Sequence, residues 1–160
     1  MRKLIYSFVA IILLGACSSI ECPLTNVVYS TYSLKKSIGD ADTLLDTLTI
    51  STRQRDGKDT ILLNKAVTTT TFDLPMSYTG DVDELYFTVG DTNNVSITDT
   101  VWVRKANIPH FESVDCTPSY FHEIQEVRHT GHRIESIEIS DKDVTYDATT
   151  NFNIIFKKRY

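Results

Sequence analysis

The chain has 160 residues, 41% of them hydrophobic and 23% charged, with a formal net charge of −5. That length fits one domain, the hydrophobic fraction excludes general disorder, and six Gly with four Pro exclude a collagen-like or low-complexity chain. The acidic balance makes a nucleic-acid partner a poor expectation, and three Cys are too few for a disulfide-dense miniprotein.

Met1-Arg2-Lys3 forms a short basic start, followed by an apolar stretch from Leu4 to Leu14 that only Tyr6 and Ser7 interrupt. The segment is too short to cross a bilayer as a helix, which takes roughly 20 residues. Basic start, short apolar middle and small residues at the end describe an export signal. Leu14-Gly15-Ala16-Cys17 resembles the lipobox of bacterial lipoproteins. The resemblance implies lipid attachment at Cys17, cleavage before it and acylation of the new amino terminus. An ordinary signal peptide with a Cys near its cleavage site is the alternative. The expected organisation is a signal peptide over 1–16, a lipidated tether over 17–24 and one domain over 25–160. Several acyl chains on one Cys satisfy the need for more than one lipid signal in stable anchoring. Loss of Arg2 and Lys3 leaves 14 basic and 21 acidic side chains, a formal charge of −7 on the mature chain. Such a body stays soluble beside anionic headgroups and gives the anchor no polybasic help.

With Cys17 assigned to lipid, Cys22 and Cys116 remain as an even pair, and export permits a disulfide between them. Two free thiols or a metal pair are the alternatives. Only five residue steps separate Cys17 from Cys22. At roughly 3.3–3.6 Å per extended step, a bridge would keep the region of Cys116 within about 20 Å of the lipid surface.

The body reads as short strands. Thr is abundant, and Thr, Val, Ile, Tyr and Phe suit the half-buried surface of a sheet. In chain order, alternation marks Leu44, Asp46, Leu48 and Ile50, then Phe72, Leu74 and Met76, then Leu85, Phe87 and Val89. Val101 and Val103 flank Trp102, and Phe152, Ile154 and Phe156 close the chain. Turn signals fall at Asp56-Gly57, Thr79-Gly80-Asp81, Gly90 to Asn94 and Asp147 to Asn151. After Pro118 the positions Tyr120, Phe121, Ile124 and Val127 suit a helical face, but a strand with a bulge is the reading adopted. About eight such strands predict an all-β fold, an antiparallel β-sandwich, immunoglobulin-like or similar. No repeat, linker or charge run divides residues 25–160.

The segments Cys17 to Leu24, Leu45 to Ser51, Asp99-Thr-Val-Trp-Val103 and Pro109 to Pro118 resemble a family of uncharacterised small envelope lipoproteins from Bacteroidota. His132 to Ile137 and the closing Asn153-Ile-Ile-Phe156 extend the similarity over nearly the whole chain. The resemblance implies a β-rich envelope lipoprotein and carries no activity with it. Surface-displayed lipoproteins of that phylum tend to carry an acidic run after the lipid Cys. Ser18-Ser19-Ile20-Glu21 has one acid, which favours an outer-membrane position facing the periplasm.

Chemistry-bearing candidates are sparse. His129-Thr-Gly-His132 would converge on a metal only if Gly131 turns the chain, and no third ligand is identifiable. His122-Glu-Ile-Gln-Glu126 lacks the second His of a zincin, and Asp141-Lys-Asp143 lacks the Gly and terminal Glu of a calcium loop. Acid pairs at Glu123 and Glu126, at Asp81, Asp83 and Glu84, and at Asp141 and Asp143 read as a solvated rim. No nucleophile elbow, phosphate loop or dinucleotide fingerprint occurs, and no cofactor is expected.

Trp102 with Tyr86 is the candidate ligand-binding pair, able to stack on a sugar ring or anchor a partner. An even turn after Gly90 would put Trp102 on the core face with Leu85, Phe87 and Val89, and an odd turn would put it outside. The core placement is the expected one, because Trp is highly buried on average. The expected function is a non-catalytic binding or structural module, held to the membrane through acyl chains on Cys17, with an envelope protein or a glycan as partner. The competing expectation is a small envelope hydrolase or metal-dependent enzyme using His and acidic residues of the C-terminal half.

Overall fold

A computed structural model describes residues 22, 26–37, 39–54, 57–91 and 95–158. The signal segment, the lipid-site candidate Cys17 and most of the tether lie outside the described residues. Among the described residues ten strands follow one another: β1 (Tyr29–Leu34), β2 (Thr47–Arg53), β3 (Asp59–Ala66), β4 (Thr71–Pro75), β5 (Val82–Gly90), β6 (Ser96–His110), β7 (Ser119–His129), β8 (Ile134–Ile139), β9 (Asp143–Val144) and β10 (Thr150–Phe156). They form a four-stranded sheet in the order β4-β1-β10-β8 and a six-stranded sheet in the order β3-β2-β5-β6-β7-β9. The two sheets pack as an all-β sandwich. Every pairing is antiparallel except β1 with β10, which run parallel at the centre of the smaller sheet.

The period-two alternation in the sequence explains which side chains fill the core. Leu48 and Ile50 of β2, Leu85, Phe87 and Val89 of β5, and Val101 and Val103 of β6 line the inner face of the larger sheet. Phe72 and Leu74 of β4, Tyr32 and Leu34 of β1, and Phe152, Ile154 and Phe156 of β10 answer from the smaller sheet. Tyr32 is sandwiched between Phe72 and Phe152, with ring centroids 4.9 Å and 4.6 Å away. Phe87 meets Tyr32 at 6.0 Å and Phe72 at 6.1 Å from the opposite sheet, so one aromatic cluster joins both layers. Burial drives the Tyr32 phenol well above its ordinary pKa, consistent with a neutral core side chain.

The turn chemistry follows the sequence signals. Gly57 has φ +82° in the β2–β3 hairpin, where its N–H donates to Gln54 O at 2.9 Å. Its companion Asp56 lies outside the described residues. The segment after Pro118 is a strand: Arg104 faces Glu126 and Lys105 faces Ile124, which leaves Gln125 as the extra residue of a bulge. That one-residue slip is why Tyr120, Ile124 and Val127 imitate a helical face in the sequence. Ile124 is buried in the core and Val127 packs against it, although strict alternation would split them.

Cys22 and Cys116 are joined by a disulfide across a sequence separation of 94, with Cα atoms 5.5 Å apart. Cross-linking a loop of that length lowers the entropy of the unfolded chain, worth on the order of 4–5 kcal/mol in the chain-entropy model. Replacing both Cys22 and Cys116 by Ser is therefore expected to lower stability by roughly 2–5 kcal/mol in equilibrium denaturant unfolding under non-reducing conditions. An unchanged midpoint would show that the bridge adds nothing to stability.

Candidate functional site

β6 pairs with β5 on one side and β7 on the other, so its pleat sorts the chemistry of the larger sheet between two faces. Gly90 pairs with Ser96 and leaves five residues in the turn, an odd number. Val101 consequently opposes Leu85 on the core face, while Trp102 opposes Glu84 on the outer face. The core placement expected for Trp102 is thus corrected: the indole is half-buried on the outward surface. The physical reason is the turn parity, since one residue more or less inverts every side chain of the strand.

Tyr86 shares that outer face, one pleat diagonal from Trp102. Its hydroxyl donates to Glu84 Oε1 at 2.6 Å, and the bond to Glu84 pushes the phenol pKa up. The Arg53 guanidinium lies 5.7 Å from the Tyr86 ring centroid and is itself paired with Asp59 at 3.1 Å. Arg128 stands 6.0 Å from the Trp102 ring centroid. Glu126 lies between Arg104 at 3.8 Å and Arg128 at 3.7 Å. Exposed ion pairs of this kind contribute little to stability. Their effect is to hold two aromatic rings among oriented donors and acceptors, on a sheet face otherwise rich in Thr. Stacking surface with flanking charged hydrogen-bonding groups suits a polyhydroxylated or planar ligand.

The inner face of β6 carries two features that periodicity alone missed. Lys105 lies in the apolar row of Val101 and Val103 and is 1% exposed. Its ammonium donates to Asp83 Oδ1 at 2.9 Å and to Gly80 O at 3.1 Å. Asn107 continues the chain of bonds, donating to Gly80 O at 2.9 Å, while its Oδ1 meets Nδ1 of His122 at 2.8 Å. Burial raises the Asp83 carboxyl pKa, against the pull of Lys105. Burial first, and then the charge of Lys105, push the His122 imidazole down to about 4. The network pins residues 78–81 over the end of the sandwich, where Tyr78 also stacks on Tyr120 at 5.2 Å. A Lys in the middle of an apolar alternation was the available signal for it.

The second feature is Asp99, fully buried on the same face. Its carboxylate accepts from the Thr130 hydroxyl at 2.7 Å, from Arg133 N–H at 2.6 Å, from Ile134 N–H at 2.9 Å and from His132 N–H. Burial would raise this carboxyl, but the four donors outweigh it and hold the pKa below the usual carboxylate range. The chain does turn at Gly131, with φ +78°, as the His129-Thr-Gly-His132 spacing requires. What fills that turn is Asp99. His132 uses its backbone N–H there, and His129 lies with its ring against the Gly131 position and Nδ1 without a protein partner. No group of three or more His, Cys, Asp or Glu side chains converges as a metal-ligand set among the described residues.

The remaining candidates disperse. Glu123 and Glu126 are exposed on β7, and Asp141 and Asp143 serve the β8–β10 corner through Thr149 and Asn151. His110 pairs with Glu112 at 3.1 Å and stacks on Phe121 at 4.2 Å. A groove of about 590 Å³ opens between Val28, Tyr29, Asp73 and Tyr146, and a cleft of about 300 Å³ borders Asp83 beneath Tyr78.

A family model described as a family of unknown function, DUF6452, matches residues 47–156. The chain belongs to this family. The match begins at the first residue of β2 and ends at the last residue of β10. The family region therefore holds Trp102, Tyr86, Asp99, Lys105 and His122, and leaves β1 and Cys22 before it. No curated protein and no solved structure matches the chain.

Two outcomes follow from the buried groups. An unfolded His protonates near pH 6.5 and folded His122 near 4, so the unfolded chain binds the extra proton between these values. Stability is then full above about pH 6.5 and falls on acidification towards pH 4, by up to about 3 kcal/mol from this residue. Chemical denaturation across that range is expected to show the slope in the parent and a flatter one in His122→Gln. Parallel curves would refute it. Asp99→Asn replaces one acceptor oxygen by a donor facing N–H groups and should cost roughly 2–4 kcal/mol, read from the shift in the denaturation midpoint.

Proposed function

We propose that this protein is a lipid-anchored envelope protein whose β-sandwich is a non-catalytic binding or structural module, with the outer face of the larger sheet around Trp102 and Tyr86 as its contact surface. The observation that carries this reading is the pairing of two aromatic rings with Arg53, Glu84 and Arg128 on an outward sheet face. A half-buried Trp on an outward face offers a recognition surface rigid, amphipathic area. The anchor rests on Leu14-Gly15-Ala16-Cys17 behind a basic, apolar export segment. The lipoproteins of Bacteroidota that the chain resembles have the same plan. A single acid between Cys17 and Cys22 supports a position at the outer membrane facing the periplasm. The partner class is an envelope glycan, or an envelope protein that presents similar planar polar groups.

Both parts have a direct measurement. Intact mass of the full chain expressed in a lipoprotein-processing bacterium is expected to show cleavage before Cys17 and added acyl chains, absent in Cys17→Ser. An unacylated mature product would remove the anchor. Trp102 is the only Trp, so intrinsic fluorescence reports on this face alone. Titration with a panel of soluble envelope oligosaccharides should quench it saturably, and Arg128→Ala should weaken the response about tenfold, the effect of losing a desolvated contact of about 1.4 kcal/mol. Flat titrations across the panel would sink the glycan reading.

A further inference from the structure

The loop between β6 and β7 has its largest apolar side chains turned outward. Val114 is 97% exposed and Phe111 61%, and Ile108 on the adjoining end of β6 is 46% exposed. Two exposed hydrophobics at a loop tip are ordinary by themselves. Two features of their setting are not. The strand ends behind the loop are ordered by an aromatic cluster, in which His110 stacks on Phe121 at 4.2 Å and Tyr146 meets Phe121 edge-on at 5.0 Å. Tyr146 in turn donates its hydroxyl to Ser119 Oγ at 2.6 Å, so the base of the loop is held from both sides. Apolar tips backed by aromatic residues with polar edges match the chemistry of a membrane interface.

The second feature is covalent. Cys116 belongs to this same loop and is bonded to Cys22. The five steps from Cys22 back to Cys17 reach at most roughly 18 Å when fully extended. Whatever lipid Cys17 carries is therefore tethered within that reach of the disulfide, at the end of β6 that leads to Phe111 and Val114.

We propose that the β6–β7 loop rests on the lipid surface, with Phe111 and Val114 lodged in the boundary between headgroups and acyl chains. This contact rests on the reading of Cys17 as the lipid-bearing residue. The loop also contains Glu112 and Asp115, and the mature chain is acidic overall. Attraction to anionic headgroups is therefore excluded as the driving force, and the surface it fits is zwitterionic. Such a contact converts a single attachment into two, and so gives the domain a fixed orientation. Trp102 lies eight residues along β6 from His110, roughly 26 Å up the strand. The outer face around Trp102 then stands clear of the headgroups and open to a partner in the aqueous space.

The test uses the acylated full chain reconstituted into vesicles of phosphatidylethanolamine and phosphatidylcholine with bromine on the acyl chains. Val114→Trp places a second indole at a position that no core contact constrains. Its emission is expected to shift to the blue and to be lost to bromine, as for a side chain roughly 5–10 Å into the interface. Phe111→Trp should behave alike, while the parent protein, reporting Trp102 alone, keeps its emission in the same vesicles. If the variants float with the vesicles but the added Trp stays water-like and unquenched, the loop does not touch lipid although the anchor holds. A blue shift that grows with protein density without bromine quenching would mean contact between copies, and overturns the proposal as well. If the parent does not float at all, the anchor reading fails, and the membrane contact fails with it.

Discussion

Two charged side chains, Asp99 and Lys105, enter the sandwich from the same face of β6, six residues and roughly 20 Å apart. A buried charge is tolerated only when hydrogen bonds replace the water it loses. Each therefore recruits backbone from elsewhere. Asp99 gathers three N–H groups and a hydroxyl from residues 130–134 and closes the β7–β8 turn. Lys105 gathers Gly80 O and Asp83 and closes the β4–β5 connection. Between them Val101 and Val103 pack in the ordinary apolar core. The two ends of the sandwich are thus tied to one strand by charge, and its middle by hydrophobic contact.

The opposite face of that strand follows from the same pleat. Once Asp99, Val101, Val103 and Lys105 point inward, Trp102, Arg104, Ile108 and His110 must point outward. The outer face then has two characters along its length. Around Trp102 and Tyr86 it is a lattice of aromatic rings and alternating charge. Towards His110 it becomes an aromatic cluster leading into the loop that carries the disulfide. The proposed recognition surface and the proposed membrane contact need no hinge between them, because β6 runs through both.

Much of the fold was legible in the sequence because alternation encodes burial directly. The rows Leu85-Phe87-Val89 and Phe152-Ile154-Phe156, the hairpin at Gly57 and the bulge after Pro118 all stand where pattern and turn chemistry put them. The strand count ran low, at about eight against ten among the described residues; β9 accounts for one of the two, since its two residues leave no periodic trace. The parallel pairing of β1 with β10 joins the two ends of the domain, and no local signal carries a contact between Thr31 and Thr150. The site was less legible. Trp102 and Tyr86 were identified by residue type, but the face they occupy hung on the length of a turn. Asp99 drew no reading of its own, although it organises the His-Thr-Gly-His turn that suggested a metal.

The sequence by itself determined an acidic all-β domain, and it pointed to Cys22 and Cys116 as a pair once Cys17 was set aside, because composition, period and cysteine count are local or countable properties. The tertiary structure alone decided that Trp102 faces outward, that Lys105 and Asp99 face inward, and that the disulfide lands in the loop bearing Phe111 and Val114. Those are questions of register and of which distant segments meet. A pleat of period two gives the same pattern for either face, and only the pairing of whole strands chooses between them.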